Sequence, residues 1–313
     1  MKVTQCRSCK SDKLKKIIDL GDHPPADTFI PEKFKGIDLP SYPLQLSMCL
    51  ECNHVFTSFY VSPEERYQRY EYSYDSSNSI VSEGHFKSFS DSVLEFLPFK
   101  EDSLIIDIGS NVGTLLSKFF ERGFTNILGI EPSKNISDIA LKKGVKTINK
   151  FFNKDLKNHI NFQDKADCIL STNVFNHTDD IREVLDLVTE LLSEDGLLVF
   201  EVPYLLDLIQ QSAFDTIYHE HVHYFSVKSL KVILNQYELE IVKLENIDYM
   251  CGSLRVYCQK FSEELKEDSQ VSMAIKNENI FGLFDIETYE GFMKNIFTMK
   301  EKLKKDISNI LLE

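Results

Sequence analysis

Four cysteines near the start of the chain form two Cys-x2-Cys pairs, Cys6 with Cys9 and Cys49 with Cys52. Thiolates are favoured zinc ligands, and a two-residue gap allows both sulfurs of a pair to reach one ion. Four thiolates leave no open coordination position, so we expect a zinc ion here to stabilise the fold rather than to take part in catalysis. The 7 cysteines of the chain do not pair off evenly, which disfavours disulfides, and free or redox-active thiols are the remaining alternative.

The segment Tyr218-His-Glu-His-Val-His-Tyr224 is the densest polar cluster in the chain. Its histidines are two residues apart and do not make the H-E-x-x-H pattern of a metalloprotease helix. On a loop, an imidazole that titrates near neutral pH beside a carboxylate is suited to proton transfer. The segment therefore indicates an acid–base site, and a surface loop with solvated histidines is the alternative. A further histidine, His177 in the run NVFNH, is expected to position a ligand rather than to act as a base.

The elements that must position these side chains alternate in type from about residue 100 onward. Strands are predicted at 103–109, 126–131, 145–149, 166–174 and 196–203, and helical patterns lie between them. This alternation implies right-handed crossovers and a parallel sheet, and the runs 239–246 and 252–260 are close enough to pair antiparallel. Both histidine segments then follow strands, at the edge where open α/β sheets bind ligands.

The first predicted strand runs into the turn Asp107-Ile-Gly109-Ser-Asn111-Val-Gly113. Glycines at such a turn let the backbone approach a ligand, and the helix that follows presents free N–H groups. Glu131, at the end of the second strand, can accept two hydrogen bonds from a ribose diol. These features fit either NAD or S-adenosylmethionine. The spacing Gly-x-x-x-Gly, where NAD sites have Gly-x-Gly-x-x-Gly, favours the methyl donor, and Asp107 is placed to neutralise its ammonium group.

Composition limits the partners of the chain. With 49 acidic and 35 basic residues the net charge is −14, which argues against nucleic acid or an anionic membrane as a partner. No apolar run reaches membrane-spanning length, and the N-terminus MKVTQCRSCK lacks the apolar core of a signal peptide, so a cytoplasmic protein is expected. The sequence does not specify the oligomeric state, and a monomer is compatible with it.

The motifs follow one another in a characteristic order: two Cys-x2-Cys pairs, then DIGSNVG, NVFNH, EVPYLLDLI, YHEHVHYFS and GSLRVY. In this order they resemble the sugar C-methyltransferases of deoxysugar biosynthesis, over the chain to about residue 260. The resemblance implies an N-terminal zinc module, a central class I methyltransferase domain with a Rossmann-like α/β sheet, and a C-terminal domain. It also implies that S-adenosylmethionine methylates carbon 3 of a nucleotide-linked 4-keto sugar.

The resemblance further implies roles for particular residues. Tyr218, Glu220 and His221 take the family's catalytic positions, and His177 is another active-site histidine. A tyrosine from the preceding segment also enters the family's site; it is Tyr72 or Tyr74 here, and we take Tyr72 as the candidate. We predict that His221 removes the proton that the ketone acidifies, and that Glu220 orients an imidazole or binds the sugar. The predicted cofactor-binding residues are Asp107, Gly109, Asn111, Gly113, Glu131 and Asn173.

We predict four regions: a zinc-binding module at 1–62, a helical connector that contributes to the active site at 63–100, the donor-binding domain at 101–260 and a helical extension at 261–313. The family usually continues with a further module, and this chain ends about where that module is expected to begin. We therefore expect the C-terminal module to be absent and the extension to be a truncated domain. The alternatives are an O- or N-methyltransferase acting on a sugar or small molecule, and a catalytically degenerate binding partner.

Overall fold

The computed structural model describes residues 1–26, 32, 36, 38–63, 66, 75–77, 80–96, 99–161 and 163–310. The strands are β1 Leu14–His23, β2 Tyr42–Cys49, β3 Val55–Thr57, β4 Ile105–Ile108, β5 Ile127–Ile130, β6 Thr147–Ile148, β7 Ala166–Thr172, β8 Leu192–Pro203, β9 His223–Tyr224, β10 Leu239–Ile247 and β11 Ser253–Lys260. The α-helices are α1 Ile80–Phe96, α2 Thr114–Phe120, α3 Lys134–Lys142, α4 Ile181–Leu191, α5 Leu205–Gln211, α6 Val227–Asn235, α7 Ser269–Phe281 and α8 Ile286–Ile310.

The central sheet has the strand order β6-β5-β4-β7-β8-β11-β10. The first five strands are parallel, and β11 is inserted antiparallel between β8 and β10. This order confirms the predicted class I methyltransferase sheet with its antiparallel closing strands. The chain leaves β4 toward β5 on one side and returns to β7 on the other, so a crevice opens at the carboxyl ends of β4 and β7.

The observed strands differ from the predicted ones by up to four residues at their ends, and two of these differences have a clear local reason. Strand β7 ends at Thr172 rather than at residue 174, because Asn173 has a φ of 54° that an extended strand cannot continue. Strand β8 begins at Leu192, four residues before the predicted start at 196, because α4 ends at Leu191 and passes into the strand without a loop.

The N-terminal region forms a second, antiparallel sheet with the order β1-β2-β3-β9. Its fourth strand is supplied from far along the chain, because Val55 and Phe56 pair with Tyr224 and His223. The apolar side of this sheet does not form a separate core: Ile18 and Leu46 belong to the same buried cluster as Phe200 of the central sheet. The zinc module and the central domain are therefore packed as one body along this interface.

The C-terminal helices are attached to the central domain through a buried carboxylate. Glu278 of α7 is fully buried and accepts hydrogen bonds from Val227 N at 2.6 Å and Lys228 N at 3.1 Å, the first backbone amides of α6. It also accepts one from the Tyr204 hydroxyl at 3.0 Å. The negative charge is placed at the N-terminus of α6, where free N–H groups and the helix dipole both stabilise it. Burial raises the pKa of Glu278, and these hydrogen bonds oppose that shift.

Replacing this carboxylate should destabilise the protein. Glu278→Ala leaves two buried amides without an acceptor, and we expect it to lower the free energy of unfolding by roughly 3 kcal/mol. Glu278→Gln retains one acceptor and should lose less. The control is Asn277→Ala, an exposed residue on the same turn of α7, which should change stability by under about 0.5 kcal/mol. Urea titration followed by circular dichroism measures all three, and equal stability of Glu278→Ala and the control would contradict the assignment.

Candidate active site

The four predicted zinc ligands converge at one point. Their Sγ atoms all lie within 4.8 Å of one another, and the pairs Cys6–Cys52 and Cys9–Cys49 are each 3.6 Å apart. A tetrahedral zinc ion with bonds of about 2.3 Å requires sulfurs about 3.8 Å apart, so the set fits that ion. The two pairs turn in the same way, since the residue after each second cysteine, Lys10 or Asn53, has a positive φ and donates its N–H to the carbonyl of the first.

The turn between β4 and α2 also has the geometry of a ligand site. Gly109, Asn111 and Gly113 all have positive φ, at 70°, 50° and 78°. A Cβ at Gly109 would overlap Val174, so the turn and the segment after β7 are in direct contact and only glycine fits between them. Asn111 accepts a hydrogen bond from Ser76 N at 3.0 Å, which brings the connector onto this turn.

Two buried carboxylates lie beneath the turn. Glu131 accepts Asn111 N at 3.1 Å and Ser133 N at 2.8 Å, one on each oxygen. Burial raises the pKa of Glu131 and, together with the charge of Glu131, raises the pKa of Asp107 well above its ordinary value. Within the described part of the chain, Oδ1 of Asp107 and Oδ1 of Asn173 are buried without a hydrogen-bond partner. Unpaired acceptors in the floor of a cleft fit a ligand that carries an ammonium group, as S-adenosylmethionine does.

The catalytic candidates form a second cluster, which is linked to this turn through Val174: this residue packs against Gly109, and its carbonyl accepts His177 N at 2.9 Å. The hydroxyl of Tyr218 is 2.8 Å from Nε2 of His221, and Nδ1 of His221 is 2.8 Å from the carbonyl of Thr216. A carbonyl only accepts, so Nδ1 carries the proton and Nε2 accepts from the tyrosine. Burial lowers the pKa of His221 to about 4, so the ring is neutral at pH 7.

His177 faces the same cluster. Its ring centroid is 4.8 Å from that of His221, and its Nδ1 is 3.9 Å from Oε2 of Glu220. Burial, and then the neighbouring His221, lowers the pKa of His177 well below its ordinary value. The side chain of His177 is 20% exposed whereas that of Glu220 is 3% exposed, so the histidine borders the opening and the carboxylate lies behind it.

The backbone of Val222 fixes these two segments in place. Its N–H donates to the carbonyl of Asn176 at 2.7 Å, and its carbonyl accepts Thr57 N of β3 at 2.9 Å. The residue after His221 is therefore joined both to the residue before His177 and to the zinc module. The remaining predicted residue, Tyr72, and its alternative Tyr74 lie outside the described residues.

A buried ionic cluster at the end of β8 was not predicted from the sequence. Glu201 accepts Arg255 Nε at 2.6 Å and lies 2.6 Å from Nε2 of His85, whose ring stacks on Tyr249 with centroids 3.8 Å apart. The carbonyl of Glu201 also accepts Asn173 N at 2.9 Å, so this cluster supports the end of β7. The signal was present: charged residues inside the apolar runs LLVFEVP and GSLRVY require buried partners.

Removing one zinc ligand should release the metal. Cys49→Ser leaves three thiolates and should reduce the zinc retained after dialysis from about one ion per chain to a small fraction of that. The matched control is Cys251→Ser, an exposed cysteine outside the cluster, which should keep the wild-type content. Metal analysis by mass spectrometry measures both, and full retention by Cys49→Ser would exclude the four-thiolate site.

A methyl group at Gly109, in the turn between β4 and α2 (the donor turn), should block the ligand. Gly109→Ala places Cβ against Val174, and we expect the affinity for S-adenosylhomocysteine to fall by at least tenfold. Gly123→Ala is the control: Gly123 also has a positive φ, 94°, but a Cβ there meets nothing within 4 Å, so it reproduces the backbone strain without the overlap. Calorimetric titration of both variants separates the two effects. Equal affinities would place the donor elsewhere.

Three family models match the chain. Residues 82–244 match a methyltransferase domain, residues 6–67 a zinc binding domain, and residues 248–311 a C-methyltransferase C-terminal domain. The expectation that the C-terminal module is absent is therefore wrong. The matched residues include β11, α7 and α8, and their attachment through Glu278 makes them part of the folded body rather than a remnant. In the described part of the chain, no helix has both the length and the apolar character needed to cross a membrane.

Known proteins resemble the chain at two levels. The C-methyltransferase NovU of Streptomyces niveus is 26% identical over 312 residues, which is 99% of this chain and 74% of NovU. Among solved structures, a S-adenosylmethionine-dependent methyltransferase of Clostridium acetobutylicum is 13% identical, with a TM-score of 0.47 over 59% of this chain and 94% of that one. The magnesium protoporphyrin IX methyltransferase of Synechocystis is 15% identical, with a TM-score of 0.45 over 58% of this chain and 88% of that one.

The family is set by the model that matches residues 82–244, which include the five parallel strands of the central sheet and cover more than half of the chain. The cysteine cluster agrees with the second matching model in both residue range and geometry. The chain belongs to the methyltransferase-domain family, and it is an S-adenosylmethionine-dependent methyltransferase with an N-terminal zinc-binding domain.

Proposed function

We propose that the protein transfers a methyl group to a carbon atom next to the ketone of a nucleotide-linked keto sugar. The observation that carries this proposal is the Tyr218–His221 hydrogen bond, placed beside His177 and adjoining the donor turn. Methyl transfer to oxygen or nitrogen uses a lone pair that is already present, whereas transfer to carbon first requires removal of a C–H proton. A half-buried tyrosine–imidazole pair is suited to that step.

The donor turn supplies the first half of the site. Bound S-adenosylmethionine supplies an electrophilic methyl group on a sulfonium sulfur. Asp107 and Asn173, with their unpaired oxygens, would hold the methionine part, and Glu131 would hold the ribose. Because Gly109 touches Val174, a ligand on this turn lies close to the segment that ends at His177.

Proton removal falls to Tyr218 and His221 together. Both ring nitrogens of His221 are engaged, so the imidazole reaches the substrate through the phenol. The phenol oxygen accepts the α-proton of the substrate while its own proton passes to Nε2 of His221. The pair then holds a neutral tyrosine and an imidazolium, and the electron pair of the broken C–H bond enters the substrate enolate. S-adenosylmethionine would supply the methyl group to this carbon and leave as S-adenosylhomocysteine.

The developing enolate oxygen needs a donor or positive charge nearby. His177 borders the opening and lies next to the His221 ring, which supports it as the side chain that stabilises that oxygen. Glu220 lies behind it, within electrostatic range of Nδ1 but beyond hydrogen-bond distance, and orients the ring. The keto-sugar assignment is supported by the order of motifs through YHEHVHYFS, by the match of residues 248–311 to a C-methyltransferase domain, and by the similarity to NovU.

The test separates proton removal from methyl transfer. With a nucleotide-linked 4-keto-6-deoxy sugar in D2O and S-adenosylhomocysteine in place of the donor, we expect deuterium to enter the carbon next to the ketone. Tyr218→Phe and His221→Asn should slow this exchange by a factor of roughly 10² or more, since each removes one member of the proton-accepting pair. His159→Asn, an exposed histidine outside the site, should exchange at the wild-type rate. Mass spectrometry follows both deuterium and the methylated product.

Each other result has a definite meaning. Unchanged turnover by His221→Asn would exclude the proton-accepting role. Methylation without exchange would favour transfer to oxygen or nitrogen. Binding of S-adenosylhomocysteine with neither exchange nor methylation, across a panel of keto sugars, would favour the degenerate partner.

A further inference from the structure

Two buried histidines that the mechanism does not use join the zinc module to the active-site segment. His54 lies in the turn after Cys52, and its Nε2 is 2.8 Å from Nδ1 of His223. Nε2 of His223 is in turn 2.8 Å from the carbonyl of Thr178, the residue after His177. The exposed fractions are 1% for His54 and 2% for His223, so water does not compete for these contacts.

The hydrogen-bond geometry permits one arrangement of protons. The carbonyl of Thr178 only accepts, so Nε2 of His223 carries a proton and donates it. In the neutral ring Nδ1 of His223 is then an acceptor, and His54 must donate to it through Nε2. In keeping with this, Nδ1 of His54 has no partner within the described residues, as expected of a ring nitrogen without a proton. The hydrogen bonds therefore run in one direction, from His54 of the zinc module through His223 to the carbonyl of Thr178 in the active-site segment.

Aromatic packing holds the two rings. His54 stacks on Phe56, with centroids 5.8 Å apart, and lies 5.2 Å from Phe225. His223 stacks on the same Phe225 at 5.5 Å. Phe56 and His223 are also paired across β3 and β9, so backbone and side-chain contacts fix the same register.

Other hydrogen bonds join the same two regions alongside the two histidines. Arg7 of the first Cys-x2-Cys pair donates to the carbonyl of Asp179 at 2.9 Å, and Arg182 donates back to the carbonyl of Ser8 at 2.8 Å. With the Thr57–Val222 contact, the zinc module touches the segment after His177 and the residue after His221. The two arginine contacts are partly buried, whereas Thr57 and Val222 are buried like the two histidines.

We propose that His54 and His223 are positioning residues that set the distance and orientation between His177 and His221. The proposal rests on the function proposed above, in which these two rings act together. Histidine is suited to the role of residue 223 because one flat ring offers both a donor and an acceptor, and it can therefore pass a hydrogen bond between a neighbouring ring and a carbonyl in a dry interior. Phenylalanine would preserve the packing and lose the connection.

The test compares variants that keep or lose the hydrogen-bond donor at residue 54. His54→Phe loses it, whereas His54→Gln retains an N–H at similar reach. We expect His54→Phe and His223→Phe to lower kcat by roughly 10- to 100-fold through misplacement of the reacting groups. Zinc content, KM for S-adenosylmethionine and affinity for S-adenosylhomocysteine should stay within about twofold of wild type, and His54→Gln should recover most of kcat. Ser47→Ala is the control, because it removes another buried hydrogen bond of the zinc module, to Ser58, that involves neither histidine.

A second readout needs no substrate. In protein labelled with ¹⁵N-histidine, two-bond ¹H–¹⁵N spectra report which nitrogen of His221 carries the proton. Wild type, Ser47→Ala and His54→Gln should show the Nδ1–H form, and His54→Phe should show a mixture of forms. If His54→Phe fails to retain zinc, His54→Met, which is flexible and has no donor, replaces it in the comparison with His54→Gln.

A donor-lacking variant with full zinc, a wild-type His221 spectrum and unchanged kcat would overturn the proposal. If the wild type methylates none of the keto sugars, the proposed function fails. The spectra alone then decide the positioning role.

Discussion

The candidate active site depends on a backbone connection through one residue, Val222, that belongs neither to the turn after β4 nor to the cluster of Tyr218, His221 and His177. Its N–H donates to the carbonyl of Asn176 and its carbonyl accepts Thr57 N, so three distant stretches of chain meet at a single residue. Both bonds are directional, and the side chain of Val222 is buried, which leaves the segment little freedom to shift. Because His177 and His221 are each adjacent to this junction, their relative placement follows from the packing of the zinc-binding sheet against the central domain.

The buried carboxylates differ in how far protein groups satisfy their oxygens. Glu278 accepts two backbone amides and a tyrosine, and Glu201 is paired with Arg255 and a histidine. Glu131 accepts two backbone amides and retains unused acceptor capacity. Asp107, in contrast, has a buried oxygen with no partner among the described residues. An uncompensated carboxylate is costly to bury, so the position left unsatisfied at the floor of the cleft is the one where a cationic ligand gains most.

The C-terminal helices illustrate why an apparent extension can be integral. Their sequence has helical periodicity without a compact core of its own, and the family resemblance implied a further module beyond them, which led to the expectation of a truncated domain. In the structure Tyr289, Phe292 and Ile296 of α8 belong to the main buried cluster, and α8 lies against β1 of the zinc-binding sheet. The helices thus pack into a core that consists mainly of residues from the rest of the chain, and no pattern within residues 261–313 could reveal that.

Local chemistry and periodicity were sufficient for much of this protein. The two Cys-x2-Cys pairs determined the metal cluster, the spacing of strands and helices determined the class I sheet, and the glycine spacing after β4 pointed to the methyl-donor turn, because each is a property of a few neighbouring residues. Only the tertiary structure decided that β9 joins the zinc-binding sheet, that the hydroxyl of Tyr218 bonds Nε2 of His221, and that Glu201 is neutralised by Arg255. The strand pairing and the ion pair join residues far apart in sequence, and the tyrosine contact depends on a loop conformation that has no periodic signature. Their partners are selected by packing and desolvation, which act only once the chain has folded.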